Sequence, residues 1–342
     1  LELKQKVVEE VEAIIPPGTI FASNTSSIPI SKIAEKAKYP ERFLGMHYFS
    51  PVPKMPLLEI IETEKTAKWA LSTAYEAGLK QGKTIIVVGD GPGFYTTRIL
   101  APYMNEAILL LEEGAKIEDI DRAMKKFGFP VGPIALLDEV GIDVGNHVSQ
   151  IMGSFFENRG AAPSKSLQKV YDAGYRGRKN KKGFYKYDKK RRWIPFMKKK
   201  KKEVNPEIYE FFGGPNRREF SFSDIQDRMS MIMVNEAIHC LQDGILKKPE
   251  DGDLGAIFGL GFPPFRGGPF RYIAREGEEK ILKKLENLQS RYGNRFTPAP
   301  LLKEMVEKGE SFYPSKEPED STPIKADSSE AEDQHQKNEE KE

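Results

Sequence analysis

A histidine and a glutamate on neighbouring apolar segments are the residues of this sequence best suited to move a proton. His47 lies in GMHYF, and Glu59 follows twelve residues later in LLEII. A carboxylate beside an imidazole fixes the ring tautomer and stabilises the imidazolium, so such a pair can exchange a proton near neutral pH. A histidine on a strand is more often a structural residue of the core, and the nearby carboxylate is what favours catalysis here.

Hydroxyl side chains precede this histidine at the end of another apolar segment. Residues 18–23, GTIFAS, predict a short strand, and Thr25, Ser26 and Ser27 follow it. A hydroxyl just beyond a strand end can donate a hydrogen bond to an oxygen that gains charge in a reaction. Alternatively, Ser27 or Ser31 caps the next helix. Thr25 and Ser26 are the candidate donors.

Strand-like and helix-like segments alternate over the first ninety residues and must position these side chains. Such alternation predicts part of an α/β domain, whose sheet would bind ligands at its strand ends. The segments present make up half of such a domain at most. Beside the strand at 18–23, the pattern predicts strands at 43–49, 57–63 and 84–90 and helices at 1–15, 31–43 and 65–82.

After Gly91 the pattern becomes helical, beginning with one long helix, and contains an internal repeat. MNEAILLLEEG at 104–114 is echoed by VNEAIHCLQDG at 234–244, and FGFPVGP at 127–133 by LGFPPFRGGP at 260–269. The asparagine and the final glycine of the first motif are equally spaced in both copies. Two related helical domains in tandem explain the repeat.

The sequence thus predicts an α/β, partly Rossmann-like domain followed by two mainly α-helical repeat domains. The last segment has almost no apolar residues and cannot offset the entropy of ordering, so we expect a disordered tail. The chain begins inside a helix without a methionine, and we expect it to be a fragment. The predicted segments are half of the α/β domain at 1–91, a helical domain at 92–190, a basic linker at 191–218, a helical domain at 219–313 and the tail at 314–342.

Composition argues against several other classes of function. With Lys+Arg 53 and Asp+Glu 51, the net charge is +2, which gives no overall field for nucleic acid or membranes. The run Lys198–Lys202 could contact phosphate, but a solvated linker is the favoured interpretation. The single Cys240 excludes an internal disulfide, and with four histidines it offers no zinc-type spacing, so we expect no metal. No apolar run is long enough to span a bilayer.

A glycine-rich segment, VVGDGPGF, occupies residues 87–94. Its glycines, Gly89, Gly91 and Gly93, are spaced G-x-G-x-G with a proline in the turn. A dinucleotide-binding fingerprint requires G-x-G-x-x-G after a strand. A domain junction followed by a helix start is therefore the better interpretation, and no phosphate-binding loop is recognisable in the chain.

Taken together, SNTSS, GMHYFSPVPKMPLLEII and DGPGF resemble the 3-hydroxyacyl-CoA dehydrogenase family. The repeated NEA and GFP motifs, with GPFRYI and YGNRFTPAPLL, most resemble the branch found in α-subunits of fatty-acid β-oxidation complexes, where an enoyl-CoA hydratase domain precedes the dehydrogenase. The resemblance implies oxidation of L-3-hydroxyacyl-CoA to 3-oxoacyl-CoA with NAD. It also implies a thiolase β-subunit as partner, in the bacterial cytoplasm or the mitochondrial matrix.

The resemblance assigns roles to the candidate residues. His47 would be the general base for the 3-hydroxyl, Glu59 would orient it, and Ser26 would hydrogen-bond the reacting oxygen. Lys4 and Asn24 would lie near the nicotinamide ribose. A further position, occupied in the family by an asparagine that positions the thioester, is Thr97 here.

The chain departs from the family in one large respect. It lacks the dinucleotide fingerprint, which belongs to the first half of the NAD domain. A second hypothesis is therefore a catalytically silent module that holds acyl-CoA or a partner through its helical repeats.

Overall fold

A computed structural model describes residues 1–187 and 202–313; the predicted tail and most of the lysine run lie outside these residues. The chain folds into an α/β part followed by helical repeats, as predicted. The elements of the α/β part are α1 (Glu2–Glu12), β1 (Phe21–Ser23), α2 (Ile30–Ile33), a 3₁₀ helix (Pro40–Arg42), β2 (Phe43–Tyr48), β3 (Leu57–Glu62), α3 (Lys68–Lys80) and β4 (Thr84–Gly89).

The four strands form one mixed sheet in the order β1-β2-β3-β4. β1 pairs with β2 and β3 pairs with β4 in parallel, because helices cross between the members of each pair. β2 and β3 are antiparallel. Residues 49–56 connect them without a crossover helix, so the chain must reverse, and this reversal positions the candidate catalytic pair.

The helix predicted over 31–43 is in fact two short helices, α2 and the 3₁₀ helix that starts at Pro40. The start of α2 is capped neither by Ser27 nor by the Ser31 side chain. The carboxylate of Asp90, beyond the end of β4, instead accepts the Ile30 and Ser31 amides at 2.7 and 2.8 Å. The cap is therefore a tertiary contact from a residue about sixty positions away.

The rest of the described chain is helical. The α-helices are α4 (Thr96–Glu112), α5 (Ile117–Phe127), α6 (Pro133–Val140), α7 (Ile142–Glu157), α8 (Lys165–Asp172), α9 (Phe222–Gln242), α10 (Pro249–Leu260), α11 (Pro269–Glu276), α12 (Glu278–Tyr292) and α13 (Pro300–Lys308). The 3₁₀ helices of this part are Arg178–Asn180, Pro206–Phe212, Pro264–Arg266 and Asn294–Phe296.

The internal repeat extends to individual hydrogen bonds. Asp121 on α5 accepts two amides from the first turn of α6 at 2.8 and 3.1 Å and the Tyr185 hydroxyl at 2.6 Å. Asp253 on α10 likewise accepts two amides from the first turn of α11, the first at 2.8 Å, and the Tyr313 hydroxyl at 2.6 Å. Both repeats thus use a buried aspartate to cap the following helix.

The acid of the second repeat should make stability depend on pH. Burial raises the pKa of the Asp253 carboxyl from 3.8 to about 6. Between about pH 4 and pH 6 the folded chain therefore keeps this proton, whereas the unfolded chain has lost it. The protonated Asp253 contributes its full stabilisation of the fold below about pH 4, and this contribution is lost as the pH rises through 6. The expected loss is about 3 kcal/mol. Urea titrations of the wild type and Asp253→Asn measure the free energy of unfolding of each protein. We expect the wild-type value, relative to that of the variant, to fall by this amount between acidic and neutral pH; a difference that does not change with pH would contradict the prediction.

The two longest helices, α4 and α9, cross at the centre of the helical part and exchange reciprocal ion pairs. The Arg98 guanidinium on α4 donates to Glu236 on α9 at 2.6 Å. The Arg228 guanidinium on α9 donates to Glu106 on α4 at 2.7 Å. All four side chains are buried. The two repeats therefore face each other with approximate two-fold symmetry.

The second repeat also packs directly on the sheet. α10 lies against β3 and β4. The Gly89 amide donates to the Ile245 carbonyl and the Tyr95 hydroxyl donates to the Gly252 carbonyl, both at 2.9 Å. The hydrophobic core is therefore continuous from the sheet into both helical repeats.

The described part of the predicted linker, 202–218, is packed. The Asn205 amide donates to the Phe184 carbonyl at 2.9 Å, and Ile208 and Phe212 are buried in the main core. This segment therefore belongs structurally to the first helical repeat. The domain boundaries themselves stay a prediction.

No helix in residues 1–187 or 202–313 has the length and apolar content needed to cross a membrane. Within the same ranges, no group of three or more His, Cys, Asp or Glu side chains is arranged to hold a metal ion.

Candidate active site

His47 and Glu59 are directly opposite each other on the antiparallel strands β2 and β3. The His47 Nδ1 and Glu59 Oε2 atoms are 2.8 Å apart. The His47 side chain is 7% exposed and the Glu59 side chain is fully buried. The residues between them form a chain reversal that brings the glutamate to the position on β3 that faces the histidine on β2.

Ser26 lies on the other side of the imidazole. Its Oγ is 2.9 Å from His47 Nε2. An ionised Glu59 can only accept a hydrogen bond, which places the ring hydrogen of neutral His47 on Nδ1 and leaves Nε2 as the acceptor. The serine hydroxyl then donates to Nε2. Because Ser26 is exposed, a ligand hydroxyl can reach this end of the chain of hydrogen bonds.

The Glu59 carboxylate also holds the start of α4. Oε1 accepts the Tyr95 and Thr96 amides at 2.9 and 3.1 Å, and Oε2 accepts the Thr96 hydroxyl at 2.8 Å. A carboxylate at a helix N-terminus is stabilised by the unpaired amides and by the helix dipole. Sequence reasoning missed Thr96, although the buried acid and the helix start after Gly93 were both visible.

Aromatic rings complete the walls around the imidazole. The ring centroids of Phe49 and Phe94 lie 4.6 and 6.1 Å from that of His47. Phe94 has a φ of 50° in the left-handed region, directly after Gly93 with a φ of 72°. A left-handed non-glycine residue costs roughly 1–2 kcal/mol. This local strain turns the chain from the sheet into α4 beside the candidate site.

Two further polar residues follow β1, and only one of them is exposed. Asn24 is exposed, and its Oδ1 accepts the Tyr48 amide at 2.9 Å, joining the ends of β1 and β2. Thr25 is buried, and its hydroxyl accepts the Ile28 amide at 3.3 Å. Thr25 is therefore part of a turn, and Ser26 is the hydroxyl presented to a ligand.

Two predicted site residues are not joined to this cluster. Lys4 is partly buried on α1, where the neighbouring Gln5 amide donates to the Lys32 carbonyl at 2.9 Å. Thr97 is partly buried on α4, one residue beyond Thr96. In the part of the chain that the structure describes, neither side chain hydrogen-bonds to Ser26, His47 or Glu59.

The residues present fit one end of a nicotinamide dinucleotide. Asn24 and Ser26 lie just beyond the carboxyl end of β1, which is parallel to β2, and α/β sheets bind ligands at such strand ends. Their amide and hydroxyl groups can hydrogen-bond the ribose hydroxyls and the carboxamide. The 342 residues contain no G-x-G-x-x-G loop for the pyrophosphate. The fit is therefore to the nicotinamide end of the dinucleotide.

Two family models match most of the chain. The model described as "3-hydroxyacyl-CoA dehydrogenase, NAD binding domain" matches residues 1–91. The model described as "3-hydroxyacyl-CoA dehydrogenase, C-terminal domain" matches twice, at residues 93–187 and 225–317. The two matches of the second model coincide with the two copies of the repeat.

Relatives and solved structures agree with these models. The chain is 51% identical over 313 residues to the fatty acid oxidation complex subunit alpha of Idiomarina loihiensis, covering 92% of this chain and 43% of that protein. It is 28% identical to 3-hydroxybutyryl-CoA dehydrogenase from Escherichia coli, covering 90% and 80% of the two chains with a TM-score of 0.75. It is 29% identical to the dehydrogenase part of multifunctional enzyme 1 from C. elegans, covering 89% and 68% with a TM-score of 0.59. The chain therefore spans less than half of the curated relative, and it belongs to the 3-hydroxyacyl-CoA dehydrogenase family.

Proposed function

We propose that this chain is the dehydrogenase portion of a protein that oxidises L-3-hydroxyacyl-CoA to 3-oxoacyl-CoA with NAD in fatty-acid β-oxidation. The observation that supports this best is the chain of hydrogen bonds from exposed Ser26 through His47 to buried Glu59. Oxidation of an alcohol needs a base for the hydroxyl proton, and this arrangement supplies one at the strand ends where ligands bind.

In the proposed mechanism, His47 is the general base. The substrate 3-hydroxyl replaces the serine hydroxyl beside Nε2, and Nε2 takes its proton as the carbon–oxygen double bond forms. Glu59 keeps the ring in the correct tautomer and stabilises the imidazolium. Ser26 donates a hydrogen bond to the reacting oxygen. NAD, when bound, would supply the acceptor for the hydride that leaves the substrate carbon.

The remaining candidate residues support binding in this proposal. Asn24 and Lys4 would contact the nicotinamide ribose, Asn24 from the end of β1 and Lys4 from α1. Thr97 would contact the thioester through a single hydroxyl donor, a weaker hold than the two-donor amide of an asparagine.

We also propose a place for the chain in a larger assembly. The name of the Idiomarina relative includes a complex and an alpha subunit. We infer an acyl-CoA substrate, a further enoyl-CoA hydratase activity and a thiolase β-subunit as partner. The bacterial source of this relative favours the cytoplasm over the mitochondrial matrix.

A direct test is to follow NADH formation by the full-length protein with L- and D-3-hydroxyacyl-CoA, and to titrate the 342-residue chain with NAD. The proposal predicts turnover of the L substrate only. The alternative, a silent assembly module, predicts acyl-CoA or partner binding with neither NAD binding nor turnover. Absence of turnover in the presence of acyl-CoA binding would select that alternative.

A further inference from the structure

Glu59 carries more hydrogen bonds than a partner for His47 needs. The side chain is fully buried, and four donors reach it, two on each oxygen. On Oε1 both donors are backbone amides at the start of α4. On Oε2 the donors are His47 Nδ1 at 2.8 Å and the Thr96 hydroxyl at 2.8 Å.

Among the residues that the structure describes, Thr96 is the one side chain besides His47 that hydrogen-bonds Oε2, the carboxylate oxygen facing the imidazole. Loss of this hydroxyl would leave Oε2 with the imidazole as its remaining donor. This loss would be unfavourable, because a buried carboxylate is costly unless each oxygen is hydrogen-bonded. Thr96 is itself fully buried, so water has little access to replace the lost donor. The carboxylate would then be free to rotate about its amide-bound oxygen and leave the line of the Nδ1–H bond.

This contact crosses between two parts of the fold. Glu59 belongs to β3 of the sheet, whereas Thr96 is the first residue of α4, the helix that begins the helical repeats. The orientation of the imidazole therefore depends on how α4 docks on the sheet. The sheet alone would not provide it.

We propose that Thr96 is a positioning residue of the dehydrogenase reaction, whose hydroxyl holds the Glu59 carboxylate and thereby the tautomer and orientation of His47. Thr96 acts through Glu59 and touches no reacting atom. The proposal rests on the proposed function for its effect on rate, but its effect on the His47 ring is independent of that function.

Two substitutions separate this role from simple packing. Thr96→Val keeps the shape and removes the hydroxyl. Thr96→Ser keeps the hydroxyl and removes the methyl group. This methyl group packs against Gly259: a Cβ atom added to that glycine would lie 3.4 Å from the methyl carbon. A hydrogen-bonding role makes valine the more damaging change, and a packing role makes serine the more damaging one. Thr73→Val, which removes an exposed helix hydroxyl bonded to the Trp69 carbonyl, is the matched control.

The experiment has two readouts. In the full-length protein we expect Thr96→Val to lower kcat about tenfold with a change in KM below about twofold, Thr96→Ser to stay within about threefold of wild type, and Thr73→Val to match wild type. In the 342-residue chain without cofactor, ¹⁵N NMR of the ring should show the Nδ1–H signal of His47 shifted and its tautomer mixed in Thr96→Val only.

Several results would overturn the proposal. These are wild-type ring signals in Thr96→Val, or a larger rate loss in Thr96→Ser than in Thr96→Val. If the wild type itself fails to oxidise 3-hydroxyacyl-CoA, the proposed function fails while the NMR comparison still decides the role of Thr96.

Discussion

Replacing His47 with glutamine is expected to lower kcat for L-3-hydroxyacyl-CoA oxidation by about 10³-fold. General acid–base catalysis by one positioned side chain contributes about 10²–10⁴-fold, and a glutamine amide cannot take up the hydroxyl proton. The affinity for NAD should change little, because the imidazole is nearly buried and its two ring nitrogens are engaged by Ser26 and Glu59. Steady-state NADH formation and NAD titration measure the two effects separately.

The matched control is His147→Gln. His147 is exposed on α7 and lies outside the candidate site, so this change should leave kcat unaltered. An active His47→Gln protein, or an equal loss in both variants, would show that the His47 imidazole is not the base.

Replacing Arg228 with methionine is expected to destabilise the fold by about 3 kcal/mol, the lower end of the cost of removing one partner from a buried ion pair, because Glu106 keeps a second partner in Arg295. The Arg228 side chain is fully buried, and its Nη2 and Nη1 atoms lie 2.6 Å from Glu106 and Glu113 respectively. Methionine has a similar volume, so the loss would come from the carboxylates: Glu106 is buried and would keep Arg295 at 2.7 Å as its partner, whereas Glu113 is partly exposed. Urea unfolding should show it as a lower midpoint with an unchanged slope.

Lys283→Met provides the comparison on the surface. Lys283 forms an exposed pair with Glu279 on α12, and solvent screening leaves such pairs with little effect on stability. Equal effects of the two substitutions would mean that the reciprocal Arg–Glu contacts between α4 and α9 do not hold the two repeats together.

The parts of this fold that follow from local pattern could be predicted from the sequence. The apolar run of β4 is a strand at 84–89 because its length and β-branched residues allow little else. The equal spacing of the NEA motifs predicted two related helical units, and Asp121 and Asp253 make matching hydrogen bonds in them. Facing positions for His47 and Glu59 followed from strand alternation and a chain reversal between them.

The contacts that could not be predicted are those between residues far apart in sequence. The cap of α2 comes from Asp90, and the donors to Glu59 come from the start of α4. No local pattern encodes which carboxylate reaches which helix end, because this depends on how the sheet and the helices dock. The packing of residues 202–218 was not predicted, because the lysine run before them is typical of a solvated linker. The apolar residues that follow it, including Ile208, are buried in the core.

The central claim is that His47, held by Glu59, removes the 3-hydroxyl proton as hydride leaves the substrate. A single-turnover measurement tests this most directly, with wild type and His47→Gln both saturated with NAD and mixed with L-3-hydroxyacyl-CoA. We predict NADH formation in the wild type and a rate about 10³-fold lower in the variant. Equal single-turnover rates, with both proteins folded and NAD bound, would contradict the account.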